Sequence, residues 1–127
     1  MTTSRTTPSR VTRVFFAGGG TGGHLYPGLA IARALVKQAP HIEPHFIGAR
    51  RGIEREVLPT TEFAFTLLDL HPLYRQAPWK NWRTVVGAVG AWREISALAA
   101  PHAPRAVIGT GGYAAGVALA WGRAHGV

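Results

Sequence analysis

The residues best equipped for chemistry lie in one stretch, Gly18-Gly19-Gly20-Thr21-Gly22-Gly23-His24. Five glycines in six positions leave the main-chain N–H groups unshielded by Cβ atoms and able to adopt unusual φ/ψ values. A short apolar run precedes them and a proline-led apolar run follows, so the glycines fall where a strand hands over to a helix. At such a junction the amides face outward at the positive end of the helix dipole, which makes a cradle for phosphate or diphosphate. A strand–helix turn without a ligand is the plain alternative, but it would need fewer glycines. His24 follows directly; its imidazole titrates near neutrality and is suited to take a proton from a sugar hydroxyl, to donate a hydrogen bond to phosphate, or to cap the helix.

Which anion such a loop takes depends on its neighbours. A P-loop requires Gly-Lys-Ser/Thr, and no lysine lies here. The dinucleotide form Gly18-x-Gly20-x-x-Gly23 is present, but the acid expected about 20 residues on is missing. Residues 48–52 read GARRG there, and Arg50 and Arg51 suit a 2′-phosphate. An NADP-binding oxidoreductase domain therefore stays open. The other histidines, His41, His45, His71, His102 and His125, show no ligand spacing, and there is no cysteine, so no metal site is expected.

The elements that must position this loop follow from the apolar pattern. Strands are predicted at 13–17, 43–48, 62–70 and 104–112. Helices are predicted at 26–38, 52–58 (short), 81–100 and 114–124. In the first, Pro27 fits the first turn, Leu29, Ala30, Ala34 and Leu35 recur at helical spacing, and Lys37 suits the negative end. Strands alternating with helices predict an α/β fold with a parallel, Rossmann-like sheet. The strands ending at Gly18 and Gly109 hint at the same device used twice. A helix followed by Gly126 and Val127 is how a further strand would begin, so the sheet reads as the front of something longer.

Length and charge bound the rest. The 127 residues suit one domain, here 13–127 after a floppy tail at 1–12. Fourteen Lys and Arg against six Asp and Glu give a net charge of +8, which favours an anionic partner: phosphorylated ligand, acidic membrane or nucleic acid. A basic module binding nucleic acid is thus a third possibility. No apolar run approaches the ~20 residues of a spanning helix.

Two of these stretches resemble a known family. Residues 18–32, GGGTGGHLYPGLAIA, are similar to the first glycine loop of the MurG family of bacterial cell-wall N-acetylglucosaminyltransferases, and residues 107–116, VIGTGGYAAG, to its second. Residues 46–59 resemble the segment between, so the likeness runs from about Arg13 to the end. It implies the N-terminal half of a two-domain GT-B glycosyltransferase. That enzyme passes GlcNAc from UDP-GlcNAc to the C4 hydroxyl of MurNAc in lipid I, forming lipid II, with inversion and no cofactor. Gly18, Gly19, Gly20, Gly22 and Gly23 would hold the acceptor diphosphate. Thr21, Gly22 and Gly23 would also line the donor sugar, and His24 would be the general base. Gly109, Gly111, Gly112 and Tyr113 would shape the acceptor groove. The family usually reads Ser-Gly-Pro where this chain has Ala115-Gly116-Val117. Its His-Glu-Gln-Asn motif and its uridine-nucleotide domain are not among these residues, so the chain alone is expected to be inactive.

Residues 71–95 form the second informative stretch. Trp79, Trp82, Val86, Val89 and Trp92 lie on or lead into one helical stripe, flanked by Arg75, Lys80, Arg83 and Arg93. Interfacial tryptophans with cations suit anionic lipid, whereas a core helix with solvated arginines would show the same residues. The resemblance favours the membrane: a peripheral protein on the cytoplasmic face of the bacterial plasma membrane. Lipid I, UDP-GlcNAc and anionic lipids would be its partners, with no nucleic acid.

Overall fold

The computed structural model describes residues 10–19, 22–70 and 78–127. Four strands, β1 (Thr12–Gly18), β2 (Ile42–Ala49), β3 (Ala64–Leu68) and β4 (Ala106–Gly111), form one parallel sheet in the order β3-β2-β1-β4. The helices are α1 (Gly22–Gln38), α2 (Glu54–Val57), α3 (Asn81–Ala99) and α4 (Gly112–Ala124). This is the Rossmann-like α/β architecture expected from the alternation of patterns.

Strand β1 explains why both faces are covered. Its consecutive aromatics alternate across the pleat: Phe15 and Ala17 join one core cluster, Val14 and Phe16 the other. The Phe15 side packs against Ala91, Ile95 and Ala99 of α3 and Ala114, Ala118 and Trp121 of α4. The Phe16 side packs against Leu25, Leu29 and Ala32 of α1, and against Leu58. Burying each phenylalanine contributes roughly 1.5–3 kcal/mol. The small face of α4 lets it sit close to the sheet, and Trp121 Nε1 donates to Ser96 Oγ at 2.9 Å, tying α4 to α3.

Several boundaries differ from expectation. Helix α1 begins four residues before the predicted start, so Pro27 lies in its second turn rather than its first. The proline lacks the N–H that would bond to the Gly23 carbonyl, but a helix can absorb one missing bond that close to its start. The buried face is accordingly Leu25, Leu29 and Ala32, while Ala30 and Ala34 are exposed. Helix α4 likewise starts within the glycines, at Gly112. Strand β3 is shorter than the apolar run 62–70, because Glu62 and Phe63 lie in a bend and Leu70 packs in the core beyond the ladder. Strand β1 takes in Thr12, which the sequence places in the tail. Helix α3 ends one residue earlier than expected despite Gly87 and Gly90.

Candidate functional site

The strand order reverses its direction of growth at β1: the chain adds β2 and β3 on one side, then crosses to lay β4 on the other. In such sheets the crevice beyond the carboxyl ends at this reversal is where ligands bind. Here both strands flanking it end in glycine; β4 passes directly into α4, and α1 begins at Gly22, four residues after the last residue of β1. Neither helix has an acidic residue in its first turn to offset the exposed amides.

The two turns are locked together. Gly19 N–H donates to the Gly111 carbonyl at 3.2 Å, and Thr110 Oγ1 donates to the His24 carbonyl at 2.6 Å. Gly111 (φ 120°) and Gly112 (φ 84°) adopt the left-handed region that L side chains avoid. They are also crowded. A Cβ on Gly111 would lie 3.0 Å from His24 Cδ2 and 3.1 Å from Nε2, and one on Gly112 would fall on the Gly19 carbonyl.

His24 is the third residue of α1 and is partly buried. Its Cδ2–Nε2 edge faces Gly111, and Nδ1 is buried with no hydrogen-bond partner among the described residues. Gly22 and Gly23 are the first two residues of the same helix, so their amides and that of His24 are among the donors that lack intrahelical acceptors. Gly18, Gly19, Gly111 and Gly112 complete the pair of turns, while Gly109 packs against Leu119 of α4. Tyr113 is exposed in the first turn of α4. Gly20 and Thr21 lie outside the described residues.

Two residues escaped the sequence. Thr110 is the only hydroxyl between the second-loop glycines, a signal that was available. Glu54, the first residue of α2, is fully buried at 0% exposure. A Cβ on Gly19 would fall on its carboxylate, and one on Gly48 would lie 2.7 Å from its Cγ and 2.8 Å from its Cβ. Glu54 lies four residues before Leu58, on the same face of this short helix, but its charge gave no reason to place it in the core, and the close approach of two strands around it shows that it is there.

On α3 the two halves differ. Ala91, Ile95 and Ala99 are buried, whereas Trp82 and Val86 are 61% and 62% exposed, with Val85 and Val89 beside them; Trp79, in the 3₁₀ turn just before α3, is 72% exposed. The Arg83 guanidinium sits 5.3 Å above the Trp82 ring, and Arg93 is exposed. Trp92 points the other way, packed on the core and 5.9 Å from the His125 ring. Arg75 and the Lys80 side chain lie outside the described set. A groove of about 400 Å³ runs between the exposed half of α3 and Asp69 at the end of β3, lined in part by Trp82, Val86 and Gly90. No helix among the described residues is long and apolar enough to cross a membrane.

A Rossmann-like half with glycine turns at its point of reversal defines a class that holds anionic ligands over the sheet. Residues 14–122 match the glycosyltransferase family 28 N-terminal domain, and the chain belongs to that family. Two curated relatives, from Bdellovibrio bacteriovorus and Moorella thermoacetica, are each named UDP-N-acetylglucosamine–N-acetylmuramyl-(pentapeptide) pyrophosphoryl-undecaprenol N-acetylglucosamine transferase. The first is 45% identical over 104 residues, covering 81% of this chain and 29% of the relative. The second is 40% identical over 108 residues, covering 82% of this chain and 28% of the relative. The crystal structure of Acinetobacter baumannii MurG superposes with a TM-score of 0.66 at 28% identity, over 91% of this chain and 32% of that one. The chain thus spans less than a third of the length of these relatives. None of these likenesses favours an NADP-dependent oxidoreductase or a nucleic-acid module. Arg51, one of the two arginines suited to a 2′-phosphate, faces Asp69 at 3.9 Å.

Proposed function

We propose that this domain is the acceptor-binding half of an inverting glycosyltransferase that moves GlcNAc from UDP-GlcNAc to the C4 hydroxyl of MurNAc in lipid I, yielding lipid II. The observation that carries the proposal is the pair of glycine turns at the β1/β4 reversal, where α1 and α4 both begin at one crevice. A diphosphate is the group such a crevice suits: its charge is met by main-chain amides of two helix starts, without a lysine. In this proposal Gly18, Gly19, Gly20, Gly22 and Gly23 hold the acceptor diphosphate, and Gly109, Gly111, Gly112 and Tyr113 shape the groove beside it. Thr21, Gly22 and Gly23 reach the donor sugar. His24 takes the proton of the C4 hydroxyl as that oxygen attacks the anomeric carbon and UDP leaves. Its buried Nδ1, with no partner among the described residues, supports a role toward a ligand rather than in the packing.

The same proposal gives the exposed half of α3 a use. Trp79, Trp82, Val86 and Val89, with Arg75, Lys80, Arg83 and Arg93, rest on the anionic cytoplasmic face of the bacterial plasma membrane, where a lipid-borne acceptor is presented. The net charge of +8 and the cation-flanked tryptophans support this.

The test joins this chain to the remaining length of the Moorella thermoacetica relative and measures GlcNAc transfer to a soluble lipid I analogue. Transfer that falls by about a hundredfold or more in His24→Ala, an ordinary size for losing a general base, supports the proposal. Full activity in His24→Ala removes the base from it. Absence of transfer by a chimera shown to be folded and to bind UDP-GlcNAc removes the function.

A further inference from the structure

Glu54 stands outside the residues given a role above, and its position is unusual. It is a carboxylate with no exposed surface, on a four-residue helix, pressed between the ends of two strands. On one side it touches Gly19, where a Cβ would fall on Oε1 and lie 2.7 Å from Cδ. On the other it touches Gly48 through its own Cβ and Cγ. Gly19 in turn donates to the Gly111 carbonyl at 3.2 Å and presents its own carbonyl to Gly112, while Gly111 backs the His24 ring. Contact is therefore continuous from Glu54 through the first glycine turn to the second, and from there to the imidazole.

Packing alone does not call for a charge here. A leucine or methionine would fill such a space without the cost of taking a carboxylate out of water. A carboxylate can only accept hydrogen bonds, and the end of β1 is rich in main-chain donors. We propose that Glu54 is a positioning residue. Its carboxylate sets the height of the Gly19 turn, and through Gly19 and Gly111 it fixes the amide cradle and the His24 ring. The inference deepens the diphosphate function proposed above and rests on it only for its consequence in binding.

The experiment uses this chain, ¹⁵N- and ¹³C-labelled, with inorganic pyrophosphate as the probe. Glu54→Gln keeps the shape and turns one acceptor into a donor. It is expected to leave Tm within a few degrees and to speed amide exchange at Gly19 about tenfold, while the amides of Phe15 and Val107 stay unchanged. It is also expected to displace the His24 ring resonances, since Gly19 and Gly111 connect Glu54 to that ring. Wild-type exchange at Gly19 and wild-type His24 shifts in Glu54→Gln would overturn the inference.

If Glu54→Gln does not fold, the pair Gly19→Ala and Gly19→Ala/Glu54→Ala decides. Shortening Glu54 makes room for the new Cβ, so the double variant should regain the stability lost by Gly19→Ala. Its His24 resonances should nevertheless remain displaced. Recovery of both would mean that Glu54 only fills space, which overturns the inference. Pyrophosphate that fails to bind the wild type, while Glu54→Gln still alters Gly19 and His24, counts against the diphosphate function and supports the positioning role.

Discussion

Gly112 and Gly116 lie four residues apart in α4, and replacing each by alanine should move stability in opposite directions. At Gly112 the backbone has φ 84°, a conformation that costs an L-residue roughly 1–2 kcal/mol. The added Cβ would also fall on the carbonyl of Gly19, a residue whose N–H is bonded to the Gly111 carbonyl, so relief requires the two turns to part. Overpacking of this kind typically costs about 1–3 kcal/mol. Gly112→Ala is therefore expected to destabilise by at least ~2 kcal/mol. At Gly116 a Cβ would meet nothing within 4 Å, and a mid-helix alanine gains roughly 0.5–1 kcal/mol over glycine. Urea unfolding followed by circular dichroism measures both. Pyrophosphate titration should show binding abolished in Gly112→Ala and retained in Gly116→Ala. A Gly112→Ala protein as stable as wild type, with its ligand affinity intact, would refute the claim that the two turns share one fixed geometry.

Other consequences concern parts of the molecule away from the turns. His45 accepts from Arg13 Nη2 through Nδ1 (3.2 Å) and donates from Nε2 to Thr66 Oγ1 (2.8 Å), so the buried ring is held neutral. Burial first, and the Arg13 charge second, lower its pKa to about 4. The unfolded chain thus binds a proton that the folded one refuses. This contribution is complete above about pH 6.5, the ordinary histidine value, and is lost as pH falls toward 4, by up to about 3 kcal/mol. Urea titrations across that window should show the loss in wild type and a flatter profile in His45→Gln; parallel profiles would contradict it. Thr110→Val removes the bond to the His24 carbonyl and should destabilise by about 1 kcal/mol while shifting the His24 ring resonances; unmoved resonances would detach Thr110 from the site. On vesicles containing phosphatidylglycerol, Arg83→Ala should weaken binding about fivefold, the effect of one cation near an anionic surface, and Trp82→Ser should weaken it further. Unchanged binding in both would remove α3 from the membrane.

Much of this was legible in the residues. Glycines after β1 and β4 announced both turns, because few other uses require so many residues without a Cβ in one place. The alternation of apolar runs gave the parallel sheet, and the short apolar run at 13–17 gave its first strand, which the structure buries on both faces through Phe15 and Phe16. What stayed hidden depended on tertiary approach. Pro27 pointed to a helix start four residues late, since the preceding glycines carry weak helical propensity and are helical only because α1 packs on the sheet. Trp92 and Trp82 look alike among the aromatics of this stretch, yet Trp92 packs on the core and Trp82 faces solvent, because at about 100° per residue they lie on different sides of α3, roughly 60° and 140° from the buried Ile95. Glu54 could not be found at all without knowing that Gly19 and Gly48 come side by side around it.

The central claim is that the glycine turns at the β1/β4 reversal are a diphosphate cradle. Titrating the ¹⁵N-labelled protein with inorganic pyrophosphate tests it most directly. The largest saturable shifts are expected at the amides of Gly19, Gly22, Gly23, Gly111 and Gly112, together with the His24 ring. Shifts gathered instead at Arg50 and Arg51 or along the basic face of α3, with the glycine amides unmoved, would contradict it.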